Sequence, residues 1–261
     1  MAYRRFPLAL MAAGLLLIPA CKSGPPSSGS PSGKDEAALV ERKVEYLEGL
    51  LARRGEAGHA LAALTSALPG RVWLTEVAYD DAGKIQVKGM AATNNLLADY
   101  VTRLGENPSF TNMALGGSVM KTVRGREAQE FTFEIALLEA APEAAPAGAS
   151  PADRLKDLEK NVPARRDIAG MLRELQSLAL DAGLQMTKFA PGAEVSGEFT
   201  AELPVAIEVA GGLRSLCRYL DGLAELPSLW VVNRLSVRAV APDDPRSQVR
   251  AAVSARGQFA R

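Results

Sequence analysis

The feature of this chain that most constrains its fold is a pattern of residues that occurs twice. In each copy a strand of alternating apolar residues ends at a glycine, a helical pattern follows, and a proline comes shortly after the last leucine of that helix. The first copy covers residues 85–108 and the second covers residues 207–227. A repeated order of elements indicates two copies of one structural unit. We therefore expect two domains with the same fold.

The wider patterns of the two halves also agree. Each half predicts a helix, two strands, a second helix and two further strands. The predicted segments are 59–68, 72–77, 85–87, 93–104, 110–115 and 131–137 in the first half, and 166–182, 184–189, 203–209, 213–226, 229–239 and 249–253 in the second. This order predicts the α+β class, with a four-stranded antiparallel sheet and two helices on one face of each domain. The expected architecture is two ferredoxin-like domains in the circularly permuted order αββαββ, preceded by a short coiled-coil-like helix.

The N-terminus is similar to an export signal that ends at a lipid attachment site. Arg4 and Arg5 precede an uncharged apolar segment, residues 8–18, and the sequence Leu-Ile-Pro-Ala-Cys at 17–21 resembles the bacterial lipobox. The resemblance implies cleavage before Cys21 and lipidation of its thiol. The alternative is an uncleaved anchor, although residues 6–20 would form a helix only ~22 Å long against a hydrocarbon core of ~30 Å. Both interpretations place the rest of the chain outside the cytoplasm, on the inner or the outer membrane.

Changes in composition divide the chain into six segments. The Pro/Ser/Gly-rich segment after Cys21 contains nothing that could build a core, and a later Pro/Ala-rich segment has no apolar periodicity and cannot cross a bilayer. Both domains therefore lie on the same side of the membrane. The expected segments are a signal peptide (1–20), a flexible tether (21–34), an amphipathic helix (35–57), a first domain (58–138), a linker (139–152) and a second domain (153–261).

The amphipathic helix carries a candidate interface. Val40, Val44, Leu47 and Leu51 recur at intervals of four, three and four residues, which places them on one stripe of a helix. The stripe predicts a helical seam that forms a short coiled coil or docks onto a partner. Packing onto the domain that follows is the alternative.

Charge and cysteine content exclude several classes of function. The chain has 30 basic and 30 acidic residues, and the basic residues do not cluster in one segment. Binding to nucleic acid normally requires a clustered basic surface, so the charges give no support for that function. If Cys21 carries lipid, Cys217 is left without a disulfide partner. Cys217 lies on an apolar helical face, so we expect a buried thiol; a reactive thiol would need a basic neighbour.

The sequence offers no catalytic constellation. His59 is the only histidine, which excludes Ser-His-Asp and Cys-His arrangements. The acidic pairs at 80–81 and 243–244 are expected in turns, where aspartate bonds to nearby backbone, and not in a calcium or acid–base site. The glycine pairs at 116–117 and 211–212 lack the phosphate-loop pattern and are expected in turns. We therefore expect no enzyme activity, no metal and no cofactor.

Two segments carry a family resemblance. Leu-Pro-Gly-Arg-Val-Trp-Leu-Thr at 68–75, with the strand 85–89 and the helix 92–104, resembles the periplasmic domain of PilN, a family of type IV pilus assembly proteins. Leu-Glu-Lys-Asn-Val-Pro at 158–163, Phe-Ala-Pro-Gly at 189–192 and Leu-Ala-Glu-Leu-Pro at 223–227 resemble PilO, the partner family of PilN. The resemblance implies a membrane-tethered, noncatalytic periplasmic scaffold of type IV pilus or related type II secretion assembly.

The resemblance also implies partners. The protein partners are assembly proteins of the PilN, PilO and PilP kind, and the lipidated end attaches to the membrane. The linker allows the two domains to pair within one chain. A homodimer is the alternative to this intramolecular pairing. An exposed sheet edge would accept an extended partner, although no residue identifies which edge. A second hypothesis is a lipid-anchored periplasmic protein-binding module that reuses this fold outside pilus biogenesis. A lipoprotein enzyme is a third, without a nucleophile–base pair to support it.

Overall fold

The computed structural model describes residues 33–138, 150–160, 162 and 168–260. The predicted signal peptide, Cys21, nearly all of the tether and most of the linker lie outside these residues. The helices are α1 (Gly33–Ala52), α2 (Glu56–Ser66), α3 (Asn94–Gly105), α4 (Pro151–Glu159), α5 (Ile168–Asp181) and α6 (Leu213–Glu225). The strands are β1 (Val72–Tyr79), β2 (Lys84–Ala91), β3 (Phe110–Val123), β4 (Arg126–Leu137), β5 (Gln185–Pro191), β6 (Val195–Ser196), β7 (Thr200–Gly211), β8 (Leu229–Ala239) and β9 (Val249–Ala260).

These strands form one antiparallel sheet in the order β3-β4-β2-β1-β8-β9-β7-β5, with β6 paired to β7. We call α2 to β4 the first unit and α5 to β9 the second unit. If β6 is set aside and the four remaining strands of each unit are numbered along the chain, both units have the internal order third, fourth, second, first. The two units meet where β1 pairs with β8. The α+β class expected from the sequence is therefore what the structure has.

The second helix of each unit shows why the two halves fold alike. Three positions at the same spacing are buried in both helices, and each helix is followed by a proline, at Pro108 and Pro227. The spacing places these side chains on one helical face, where they cover the sheet. The buried positions are Leu97, Tyr100 and Leu104 in α3, and Leu216, Tyr219 and Leu223 in α6.

The main hydrophobic core lies between the helices and one face of the sheet, and it runs through both units without a break. In β4 the alternation of Phe131, Phe133 and Ile135 places all three side chains in this core. The other face of the sheet is mainly polar, apart from a small apolar cluster in the first unit formed by Trp73, Met90, Val123 and Ala128. Ion pairs such as Lys188–Glu208 at 3.1 Å lie on it.

The expectation that Gly116 and Gly117 form a turn is wrong. The structure extends β3 through both glycines to Val123, and the chain reverses at Arg124 and Gly125. The ladder between β3 and β4 shifts register between Leu115 and Gly117. Glycine is common at such a bulge because it has no side chain to place.

Two helix boundaries also differ from the sequence prediction. The helix expected over 35–57 ends at Ala52, because Gly55 adopts a left-handed conformation, with φ 86°, and α2 begins after it. The sequence predicts a linker over 139–152, but a further helix, α4, begins inside it at Pro151. The Ser150 hydroxyl accepts a hydrogen bond from the backbone N–H of Asp153 at 3.2 Å, and proline suits the first helical turn.

Candidate interaction surfaces

The contact between β1 and β8 is the surface that joins the two units. Four residue pairs form this ladder, from Glu76 opposite Arg238 to Tyr79 opposite Leu235. Val77 lies opposite Val237, and both side chains are almost fully buried, at 2% and 3% exposure. The junction therefore combines main-chain hydrogen bonds with a small apolar contact.

Glu76 adds an electrostatic contact on the polar face of the junction. Its carboxylate accepts a hydrogen bond from Lys88 at 2.9 Å and another from Arg238 of the second unit at 3.0 Å. The pKa of Glu76 is lowered, mainly because Lys88 donates to the charged form and secondarily because Arg238 does the same, while partial burial opposes the shift. Sequence analysis missed this residue, although it is the only charged residue in the strand Val72–Tyr79.

A second contact between the two units lies on the helix-covered face of the sheet, where α2 packs on α6. A Cβ on Gly58 would lie 3.2 Å from the Cβ of Leu220, so the two helices approach closely because position 58 has no side chain. Thr65 Oγ1 lies 3.7 Å from Cys217 Sγ in the same contact. Arg54, which precedes α2, donates to the carbonyl oxygen of Leu226.

The predicted seam of α1 faces the interior of the molecule. Val44 and Leu47 are buried, at 3% and 1% exposure, whereas Val40 and Leu51 are half-buried. Leu47 packs with Val162 and Leu229. α1 therefore contacts the start of β8 and the segment just before the second unit, and the sequence had suggested a coiled coil or the first unit instead.

Polar contacts hold α1 antiparallel to α4. Lys43 pairs with Glu159 at 2.6 Å, and Arg154 pairs with Glu48. In addition, Tyr46 Oη and Thr200 Oγ1 lie 3.1 Å apart, which ties α1 to the start of β7. The helix and its partner α4 thus pack onto the second unit.

The residues that sequence analysis considered for chemistry lie apart from one another. His59 is exposed on α2, and Asp80 accepts hydrogen bonds from the backbone N–H groups of Ala82 and Lys84, both at 3.0 Å, as expected for a turn. Cys217 is buried as predicted, and burial raises the pKa of its thiol. Among the described residues, no three His, Cys, Asp or Glu side chains come together to hold a metal ion.

The two free edges of the sheet differ in character. β5 has seven residues, ends at Pro191, and carries Lys188 in an ion pair with Glu208. β3 has fourteen residues, and Lys121 is its only charged residue. Three large apolar side chains of β3 are exposed: Leu115 at 56%, Val119 at 62% and Met120 at 63%. A long edge with exposed apolar side chains is the kind to which another strand adds.

Over the ranges that the structure describes, none of the helices has the length and apolar content that crossing a membrane requires.

Comparisons with known families match each unit separately. Residues 59–137 match the family model of the fimbrial assembly protein PilN, and residues 167–257 match that of the type IVa pilus alignment subcomplex PilO C-terminal domain. The first unit is therefore similar to PilN and the second unit to the C-terminal domain of PilO. Both families implied by the sequence resemblance are thus found, in the expected order.

Individual relatives match the PilO type. The type IV pilus inner membrane component PilO of Pseudomonas aeruginosa is 28% identical over 85 residues, which cover 33% of this chain and 41% of that protein. The chain thus matches about two fifths of the length of this curated relative. A crystal structure of the type 4 fimbrial biogenesis protein PilO from Pseudomonas aeruginosa is 26% identical, with a TM-score of 0.36, and covers 45% of this chain and 91% of that one. The core region of PilO from the same organism is 27% identical, with a TM-score of 0.32, and covers 35% and 93%.

Proposed function

We propose that this protein is a noncatalytic scaffold of type IV pilus assembly, or of the related type II secretion machinery, on the periplasmic side of the cell envelope. One observation carries the proposal: the PilN-type match and the PilO-type match each fall on one unit, and β1 and β8 join those units in one sheet. PilN and PilO proteins are structural, noncatalytic components of pilus assembly. A chain that joins one domain of each type fits the same structural role.

Each unit is proposed to be a ferredoxin-like domain in the circularly permuted order αββαββ. The internal strand order third, fourth, second, first supports this assignment, since that order results when the first strand of a ferredoxin-like domain is moved to its end. The proposed domain boundaries are 58–138 and 153–261. The seam of α1 at Val44 and Leu47 is proposed to hold the helix on the second domain, beside α4.

Membrane attachment is proposed through a lipid on Cys21, with residues 22–32 as the tether before α1. The lipobox-like sequence before Cys21 supports this attachment, and the Pseudomonas relative is an inner membrane component. Mass spectrometry of the N-terminal peptide from the membrane fraction tests it, with Cys21→Ser as the control. A diacylglyceryl mass on Cys21 is the expected result, and an unmodified cysteine in a membrane-bound chain would show an uncleaved anchor instead.

The proposed partners are envelope proteins of the PilN, PilO and PilP kind. The experiment that tests the function is deletion of the gene from the bacterium that carries it, followed by electron microscopy of surface pili and an assay of type II secretion. We expect loss of one of these assemblies and recovery with the intact gene. If both assemblies persist in the deletion strain, the scaffold role is wrong, and the fold serves as a protein-binding module outside pilus biogenesis.

A further inference from the structure

We propose that copies of this protein associate head to tail, with β5 of one copy pairing with β3 of the next, so that the antiparallel sheet continues from chain to chain. The proposal follows from the strand order. Inside the chain, β1 is the first strand of its unit and β8 is the third strand of its unit, and these two edges already pair. The two edges left free are β5, a first strand, and β3, a third strand. The free edges are therefore the counterparts of the two that join.

The ladders identify which residue of β3 corresponds to which residue of β8. In the first unit Val87 pairs with Phe133, which pairs with Leu115. At the matching position of the second unit, Val209 pairs with Ala251, which pairs with Val237. Leu115 therefore occupies the position of Val237. Val237 is 3% exposed because β1 covers it, whereas Leu115 is 56% exposed.

The same ladders identify the counterpart of β1 in β5. Val77 pairs with Val87 in the first unit, and Met186 pairs with Val209 in the second. Met186 therefore takes the position of Val77. Because Val77 lies opposite Val237 at the existing junction, Met186 of one copy would lie opposite Leu115 of the next. Both side chains are apolar, so the new contact would repeat the apolar contact of the old one.

Charges at the neighbouring position are compatible with this pairing. Following the ladders one step further places Gly117 in the position of Arg238, and Gln185 in the position of Glu76. At the existing junction Arg238 and Glu76 form an ion pair at 3.0 Å. At the new junction both partners are replaced together by uncharged residues. No charge would be left without its partner when the edges meet.

The helix layer offers a second, independent match. At the existing junction α6 accepts α2 on a face formed by Cys217, Leu220, Asp221 and Ala224. Aligning Tyr100 with Tyr219 places Ala98, Val101, Thr102 and Gly105 on the corresponding face of α3. This face is uncharged, and three of its four residues are exposed, Val101 being half-buried. We expect α5 of the incoming copy, the counterpart of α2, to lie on it.

The length of the β5 edge fits this head-to-tail pairing. The existing junction uses four positions of β1, Glu76 to Tyr79. Their counterparts in β5 are Gln185, Met186, Lys188 and Phe189, with Thr187 as the extra residue of a bulge, and all of them come before Pro191. Proline cannot donate to a ladder, so Pro191 limits β5 to the length that the junction needs. The interface joins two different surfaces, so each added copy leaves one free β3 and one free β5, and association continues.

Disulfide trapping tests the register. Two full-length chains are prepared in mild detergent with Cys217→Ser as a common background, one with Leu115→Cys and the other with Met186→Cys. We expect rapid oxidation to a disulfide-linked dimer when the two chains are mixed, and none when either is kept alone, because opposite residues of paired strands have Cα atoms close enough for a disulfide. The background chain alone measures any contribution of Cys21.

Two results of this experiment would overturn the proposal. Dimers of the Leu115→Cys chain alone, formed as fast as in the mixture, would show two-fold pairing of β3 with β3. A mixture that oxidises no faster than the background chain would show that β5 and β3 do not meet.

Sedimentation over a range of concentrations tests the association itself. Leu115→Lys is compared with Val240→Lys, since Leu115 and Val240 are equally exposed, at 56% and 57%, and Val240 follows β8 away from both free edges. We expect the unmodified chain to form a concentration-dependent series of oligomers, Leu115→Lys to weaken their formation at least about tenfold, and Val240→Lys to leave it unchanged. A monomer at every concentration, or equal weakening by both substitutions, would contradict self-association.

Discussion

At the scale of residues, a tyrosine that both units have at the same position forms a hydrogen bond in only one of them. Tyr100 and Tyr219 occupy the same position of the repeat, and both side chains are fully buried. Tyr100 Oη donates to the carbonyl oxygen of Leu64 at 3.1 Å, whereas Tyr219 Oη has no hydrogen-bond partner among the described residues. Burial raises the pKa of both phenols. A buried hydroxyl with a partner stabilises the fold, and one without a partner costs free energy.

This difference predicts opposite effects for the same substitution. Tyr100→Phe removes a hydrogen bond and leaves the Leu64 carbonyl unpaired, so we expect a loss of about 1 kcal/mol in the free energy of unfolding. Tyr219→Phe removes only an unpaired hydroxyl, so we expect no loss or a small gain. Urea unfolding at pH 7 measures both, and each variant is the control for the other. Equal losses in the two variants would show that Tyr219 Oη has a partner in solution.

The Glu76 carboxylate predicts an acid dependence of stability. Because Lys88 and Arg238 lower its pKa in the folded chain, Glu76 stabilises the fold at pH values above its unfolded pKa of about 4.3. This stabilisation is lost as the pH falls through the lower folded pKa. We expect Glu76→Gln to lose about 0.5–1 kcal/mol at pH 7 and to match the unmodified chain in strong acid, in urea titrations at a series of pH values. A difference that stays constant with pH would contradict the role of these two cations.

At the scale of elements, α1 is held by its inner stripe. Leu47 is 1% exposed and packs with Val162 and Leu229, whereas Leu39 on the same helix is 46% exposed. We expect Leu47→Ala to lose about 2–4 kcal/mol of local stability and Leu39→Ala to lose almost none. Hydrogen exchange of the α1 amides measures this directly. Unchanged protection of α1 in Leu47→Ala would mean that the ion pairs to α4, and not the apolar contact, hold the helix.

The sequence predicts the helices and strands in which apolar residues recur regularly, but not the part of a strand that forms only because it pairs with a neighbouring strand. α3, α6 and β4 were predicted because each buries one face, which fixes a period of 3.6 or 2. The second half of β3 was missed since the pair Gly116-Gly117 has the composition of a turn, and only the ladder with β4 extends the strand through it. α4 could have been found, because Ser150 and Pro151 form a capping sequence.

The pairing of β1 with β8 could not be predicted from either strand alone. Every edge strand presents the same unpaired backbone N–H and C=O groups, so the sequence of one strand does not determine which other edge it pairs with. The choice depends on matches that appear only when the strands are side by side, such as Glu76 with Arg238 and Gly58 with Leu220. The candidate surfaces were therefore predictable as sheet edges in general, and their assignment needed the three-dimensional structure.

At the scale of the whole molecule, the two units share one core and one sheet, so they should unfold together. The core runs from α2 and α3 through α6 to β9 without a polar layer between the units. α1 and α4 add a second contact that links the beginning of the described chain to the second unit. Two domains that share one continuous core lose each other's support when either unfolds.

Each unit contains one tryptophan, which allows this cooperativity to be measured. Trp73→Phe leaves Trp230 to report on the second unit, and Trp230→Phe leaves Trp73 to report on the first. Because each tryptophan substitution shifts stability by itself, the fluorescence midpoint of each protein is compared with the midpoint of its own far-UV circular dichroism, and we expect the two to coincide. Adding Val77→Asp to both places a charge in the buried junction, so we expect the midpoints to separate.

The matched control is Ala78→Asp, which introduces the same charge one residue later, on the polar face of the sheet. Ala78 is half-buried and Val77 is 2% exposed, so only Val77→Asp removes a charge from water at the contact with Val237. We expect coincident midpoints in Ala78→Asp, measured by tryptophan fluorescence and by far-UV circular dichroism in the same two backgrounds. Separate midpoints without any junction substitution would mean that the shared sheet does not couple the units, and that the PilN-type and PilO-type domains fold as independent bodies on one chain.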